Sequence, residues 1–155
     1  MARGATAGII VLMSQQINHM AVGPTVTILD GPYREVLDLL EQARSHAERT
    51  TASSVSRRVA SRGRARASCE ALRVTTRLSQ CLAWLLVQKA IHAGELPPEA
   101  ALDPDKRLDG HAVCSVMEAE DDPEISPELR GLLQKSRRLF ERVSRLDERI
   151  GATAC

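Results

Sequence analysis

Apolar residues recur along this chain at three- and four-residue spacing in three separate stretches, the pattern of amphipathic helices. The first follows Asp30-Gly31-Pro32, where Asp can cap free backbone N–H groups and Pro suits the first helical turn. Tyr33, Val36, Leu37, Leu40, Ala43 and Ala47 then share one face, with Glu35, Asp38, Glu41 and Arg44 elsewhere, and predict a helix over residues 32–49. The second stretch, residues 66–93, ends at Gly94 and at Pro97-Pro98, which cannot continue a helix. Leu78, Leu82 and Leu85 form one stripe, Cys81, Trp84 and Ile91 another beside it, and Leu86 and Val87 widen the surface. So broad an apolar surface implies the central helix of a bundle, or a helix that also meets a second copy of the chain.

The third stretch opens at Ser126-Pro127-Glu128, with a Ser cap, Pro at the first helical position and an acidic residue near the positive end of the helix dipole. Leu129, Leu132, Ser136, Leu139, Val143, Leu146 and Ile150 alternate spacings of three and four as a heptad seam. Leu133 and Phe140 broaden it, and Gly151 supplies the expected stop, giving a helix over residues 127–150. The fold class predicted is all-α: a three-helix bundle spanning residues 30–150, preceded by a variable, flexible segment 1–29 and followed by a short tail 151–155.

Composition narrows the picture. At 155 residues one domain is expected. The chain is 43% hydrophobic but only 2% aromatic, so its core must be built from aliphatic side chains, which favours helices over a β-sandwich. Lys and Arg number 21 against 20 Asp and Glu, leaving no overall field to draw the protein onto nucleic acid or an anionic membrane. The four cysteines, Cys69, Cys81, Cys114 and Cys155, form no C-x-x-C pair and read as reduced thiols of a cytosolic protein. Arg3 and the small, apolar residues 5–13 could pass for a short signal peptide. Yet residues 9–13 are too short to span a bilayer, Ser14, Gln15, Gln16 and Asn18 follow, and no clear small-x-small cleavage site occurs, so a cytoplasmic protein without membrane contact is expected. Met13 and Met20 would also serve as starts.

Two segments carry opposite charge. Residues 50–68 contain Arg57, Arg58, Arg62, Arg64 and Arg66 and no acid; residues 118–124 contain Glu118, Glu120, Asp121, Asp122 and Glu124 and no base. Runs of like charge resist burial, so each is expected to be a solvated linker. The alternatives are docking of oppositely charged partners, or contact between the two segments within a dimer. The arginine run makes nucleic-acid binding the main competing function, but Tyr33, Trp84 and Phe140, the three aromatic residues, all lie on apolar helical faces and leave nothing to stack on bases.

No catalytic pattern emerges. There is no Gly-rich phosphate loop, G-x-S-x-G elbow or H-E-x-x-H pair. His111 and Cys114 have a spacing that could place two metal ligands on one helical face, but two ligands do not make a site. No catalytic, cofactor or metal residue is assigned, and a non-enzyme is expected.

The second helix carries a more specific signal. Arg73-Val74-Thr75-Thr76-Arg77-Leu78-Ser79-Gln80, continuing through Ala83-Trp84-Leu85-Leu86-Val87-Gln88-Lys89-Ala90 to Gly94-Glu95, closely resembles the signature helix of the RcdA family, the alphaproteobacterial regulators of CtrA degradation. Ser126-Pro127-Glu128-Leu129 and Ser144-Arg145-Leu146-Asp147-Glu148-Arg149-Ile150 resemble the close of that family's domain. The resemblance covers residues 66–150 well, the first helix by its amphipathic character alone, and residues 1–29 not at all.

The resemblance implies a dimeric three-helix bundle that performs no cleavage. It would act as an adaptor, tethering regulatory substrates such as cell-cycle transcription factors to the ClpXP protease, itself primed by a receiver-domain adaptor. Recruitment to a cell pole is a family property placed in doubt by the short tail after Ile150. Bundle or dimer packing is assigned to Leu78, Cys81, Leu82, Trp84, Leu85, Leu132, Leu139, Val143 and Leu146. Arg73, Arg77 and Gln80 are the polar signature residues. Arg73 and Arg77, four apart on one face, are expected to pair with acids of the first helix or across a dimer, with a solvated edge as the alternative.

Overall fold

A computed structural model describes residues 24–54, 61–116 and 119–153. Three long helices pack pairwise on one another: α1 (Pro24–Ser54), α2 (Ser61–His92) and α4 (Pro127–Thr153). Between α2 and α4 the chain makes two 3-10 turns (Pro98–Leu102, Pro104–Lys106) and the single helical turn α3 (His111–Cys114). The fold is an all-α three-helix bundle, as the hydrophobic pattern predicts.

The three helices run further than that pattern implied. Pro32 does not open α1 but lies inside it. Its missing N–H and its ring clash disfavour such a position. The preceding turn continues nonetheless because Leu29 enters the core at 4% exposure, one heptad before the fully buried Val36. The buried face of α1 is Leu29, Val36, Leu39 and His46, with Tyr33, Leu40 and Ala43 packed beside it. Leu37 and Ala47, expected on that face, are exposed.

α2 begins at Ser61 rather than 66, so part of the arginine run is helical. Its end follows the sequence closely. Gly94 adopts φ +75°, its N–H donates to the Ile91 carbonyl (3.0 Å), and the Glu95 N–H donates to the Ala90 carbonyl (2.9 Å). That pair of bonds satisfies carbonyls the helix end leaves open, and glycine carries the left-handed backbone at no steric cost.

The Ser126 hydroxyl accepts from the Leu129 N–H (3.2 Å) and caps α4. Gly151 is not its stop, since the helix continues to Thr153. A Cβ at Gly151 would lie 2.8 Å from Arg107 Nη1, so glycine here serves a close approach by a side chain. Leu78, Cys81, Leu85, Leu139 and Val143 have no exposed surface, and Trp84, Leu132, Leu133 and Phe140 are almost as deep. Leu82, Leu146 and Ile150 are half-buried against this core.

Candidate protein-interaction surface

Charged side chains rarely lie fully inside a core, yet Arg77 has no exposed surface at all. Its Nε donates to the Cys114 carbonyl (2.7 Å), Nη2 to the Val116 carbonyl (2.6 Å) and Nη1 to the Leu133 carbonyl (2.9 Å) and the Ser136 hydroxyl (3.4 Å). Glu120 stands 4.0 Å away and supplies counter-charge. Burial lowers the Arg77 pKa and Glu120 partly opposes that shift. The guanidinium is therefore an internal strut that joins α2 to the residues before α4 and to α4 itself. Neither Arg77 nor Arg73 pairs with an acid of α1. Arg73 pairs instead with Glu70 of its own helix (2.5 Å). Gln80 is half-buried and lines a cleft of about 350 Å³ between α2 and the segment from Pro104 to Asp109.

The two charged segments meet within one chain. Arg66 pairs with Asp122 (2.7 Å), and Glu120, 7% exposed, accepts from Arg137 Nε (2.7 Å). The acidic stretch is thus partly folded in: Ala119 and Glu120 are buried, while Asp121 and Glu124 face solvent. Like charges tolerate this burial because each buried carboxylate finds a guanidinium. Arg57, Arg58 and the side chains of Arg62 and Glu118 lie outside the described residues.

A second polar knot escaped the sequence reading. Asp147, 5% exposed, accepts from Trp84 Nε1 (2.7 Å) and from Arg107 through Nε (2.7 Å) and Nη2 (2.9 Å). Hydrogen bonding to Asp147 raises the Arg107 pKa. A buried indole N–H needs an acceptor, so Trp84 was itself a signal for such a partner. The position of Asp147 four residues after Val143 put a carboxylate on the buried side of α4.

At the other end of the bundle His46, 6% exposed, lies 3.1 Å from Glu128, which also pairs with Arg49. These contacts hold the Glu128 carboxyl below its ordinary value, the His46 hydrogen bond contributing most.

Cys69, Cys81 and Cys114 are free thiols, and burial pushes Cys81 up to about 12 and Cys114 in the same direction. Both buried thiols are therefore held protonated and unreactive. His111 is exposed and meets Phe140 edge-on at 5.3 Å, whereas Cys114 is buried. Among the described residues no three His, Cys, Asp or Glu side chains are grouped to hold a metal ion, and no helix is long and apolar enough to cross a membrane.

The outward side of α2 is built differently from an ordinary solvated helix face. Ala65, Cys69, Leu72, Thr76, Ser79, Ala83, Leu86 and Ala90 alternate spacings of four and three and carry no charge. Leu72 is 66% exposed and Leu86 47%; Ala65, Cys69, Ser79 and Ala83 are exposed between and before them. At 100° per residue the charged positions of α2 fall on its flanks or its buried side. Arg77 and Glu70 point inward, and Lys89 turns to Asp30 (2.6 Å) and the Tyr33 ring (5.0 Å). This is a second heptad seam without a partner helix among the described residues.

A bundle that fixes its internal charges in structural bonds and presents an uncharged helical seam to solvent has the features of a helix-presenting scaffold. The chain belongs to the RcdA-type family: the family model described as "Protein of unknown function (DUF1465)" matches residues 24–154, and RcdA from Caulobacter crescentus CB15, whose crystal structure is known, is 38% identical. That structure superposes with a TM-score of 0.55, covering 79% of this chain and 89% of its own. No curated protein matches the chain.

Proposed function

We propose that this chain is a non-enzymatic adaptor that delivers regulatory proteins, cell-cycle transcription factors such as CtrA among them, to the ClpXP protease. It works in the cytoplasm as a homodimer, alongside a receiver-domain adaptor. The observation that carries this reading is the uncharged seam of α2, which lies within residues 24–154, the stretch that the family model matches. Such a seam suits helix-to-helix contact with another protein, since small residues allow close approach and two leucines supply apolar anchors.

An adaptor of this kind needs surfaces and no reactive groups. Holding a weakly recognised client beside the protease raises its effective concentration and so its rate of engagement. The test is reconstituted degradation of a candidate client by ClpXP and the receiver-domain adaptor, with and without this protein. Faster loss of the client in its presence supports the reading. No acceleration, and no association with any protease component, refutes it.

A further inference from the structure

The solvent side of α4 carries charge of one sign. Lys135, Arg138, Arg142, Arg145 and Arg149 recur at alternating spacings of three and four, and all are exposed. At 100° per residue they fall within roughly 80° of arc, and at helical rise they extend over about 21 Å. Like charges three and four residues apart destabilise a helix, so a face built only for solvation would mix its signs. Arg137 and Glu141 do so on the flank, at 2.5 Å. Neutralisation of the stripe itself is incomplete. Arg142 pairs with Glu35 of α1 and Lys135 donates to the neutral Gln42 (3.2 Å), whereas Arg138 and Arg145 have no ion-pair or hydrogen-bond partner among the described residues.

At one end of the stripe a cleft of about 430 Å³ opens between α1 and α4, lined by Gln42, Ser45, Gly131, Leu132 and Lys135. Two acids at its edge are already engaged, Glu41 by Arg44 and Glu128 by Arg49 and His46. Gly131 stands four residues before Lys135 and so continues the register of the stripe. Glycine inside a helix costs stability relative to alanine, and here no close approach calls for it, since a Cβ would meet no atom within 4 Å. What the missing side chain provides is open room in the cleft, beside the apolar Leu132.

We propose that the outward face of α4 docks an acidic stretch of another protein, laid along Arg138, Arg142 and Arg145, with an apolar side chain of that stretch seated in the cleft at Gly131. Six or seven extended residues, at about 3.3 Å each, cover the stripe. The flanks set the width of the occupant. Glu35 and Asp38 of α1 border the stripe on one side, Glu141 and Glu148 on the other. A single peptide strand or helix fits between those carboxylates. A nucleic-acid duplex is broader than one helix and would bring its phosphates against them, and for a single strand the face offers no aromatic ring to stack on bases. This face lies on a different helix from the α2 seam, so it adds a second contact to the adaptor reading without resting on it.

The test is fluorescence anisotropy of a labelled peptide of alternating Asp and Glu with one Leu near its end, added to the full chain at low salt. The same peptide with Asn and Gln in place of its acids, and a labelled DNA duplex, serve as further probes. The expected result is binding of the acidic peptide alone, weakening as salt rises, and an affinity about tenfold lower when Arg138→Gln and Arg145→Gln are combined. Gly131→Met, which favours the helix and fills the cleft, should weaken the peptide about fivefold, to the level of a version with Gly in place of Leu. Arg57→Ser with Arg58→Ser should leave peptide binding intact, and circular dichroism checks that every variant is folded. No binding at low salt, or equal affinity with and without Arg138 and Arg145, would overturn the inference. So would unchanged binding in Gly131→Met, or loss of binding with Arg57 and Arg58. DNA bound more tightly than the peptide, through the same two arginines of α4, would overturn it in favour of a nucleic-acid occupant.

Discussion

Replacing Arg77 by methionine removes one buried charge and four donor contacts while roughly conserving side-chain length. Three of those contacts end on main-chain carbonyls, those of Cys114, Val116 and Leu133. Charge-assisted bonds contribute about 1.5–3 kcal/mol each, but their sum overstates the loss, because methionine also escapes the desolvation that arginine suffers. Two further facts temper it. The Leu133 carbonyl keeps the Ser136 hydroxyl (3.1 Å), and Glu120 keeps Arg137. The Cys114 and Val116 carbonyls lose the guanidinium, and the expected cost is about 3–5 kcal/mol, the range found when one partner of a buried ionic group is removed. For a chain of this size that is a fall in Tm of roughly 10–15 °C. Arg77→Lys should lose nearly as much, since a compact ammonium cannot reach carbonyls on two sides as the planar fork does. Thermal and urea unfolding measure the cost, and amide exchange locates it around residues 114–116. A methionine variant within ~1 kcal/mol of the parent would refute the reasoning, since surface substitutions typically cost less than that.

Other expectations follow from the same contacts. Gly151→Ala, which in a free helix should gain about 1 kcal/mol, is expected to give no gain or a loss here, because the new Cβ meets Arg107 at 2.8 Å. In an Arg107→Ala background the same change should become stabilising, and chemical denaturation of the four chains reads the reversal of sign. The Glu128 carboxyl is held below its ordinary 4.5 by His46 and Arg49, so its share of stability is present above pH 4.5 and is lost as pH falls through its lower folded value. Glu128→Gln should therefore flatten the acid limb of a stability-against-pH curve and leave the neutral region little changed in slope. Leu86→Glu, at an exposed site, should alter stability by no more than about 0.5 kcal/mol yet abolish partner binding and stimulated degradation. Unchanged adaptor activity in that variant would remove α2 from the docking face.

Local signals in the sequence foretold local structure well. Ser126 caps α4 and Gly94 closes α2 because each acts through its immediate neighbours in the chain. Pro32 and Gly151 misled for a complementary reason: both resemble helix boundaries locally, and contacts from elsewhere decide otherwise. Leu29 carries α1 through Pro32 by reaching the core, and Arg107 explains the glycine in α4 by crossing from a segment some forty residues earlier. The polar interior was the least legible part. Arg77 occupies a register position that periodicity marks as inward, but its acceptors are carbonyls distant along the chain, and carbonyls leave no trace in residue identity. The Trp84 and Asp147 bond could be suspected from the indole alone, whereas Arg107 as the third member could not. The seam on the outside of α2 was visible as surplus apolar surface, and only the fold separates its outward half from its buried half.

The use of main-chain acceptors by Arg77 has a bearing on how such a protein can diversify. Every amino acid offers the same carbonyl, so the positions that hold the strut in place are chemically indifferent to which side chains stand at 114, 116 and 133, within the limits of packing. Val116 is half-buried and Ser115 exposed beside it. Substitutions at such rim positions can accumulate over generations without loosening the attachment of this segment to α2. A lineage can in this way rewrite the lettering on its surface while the bracket that mounts it stays the same.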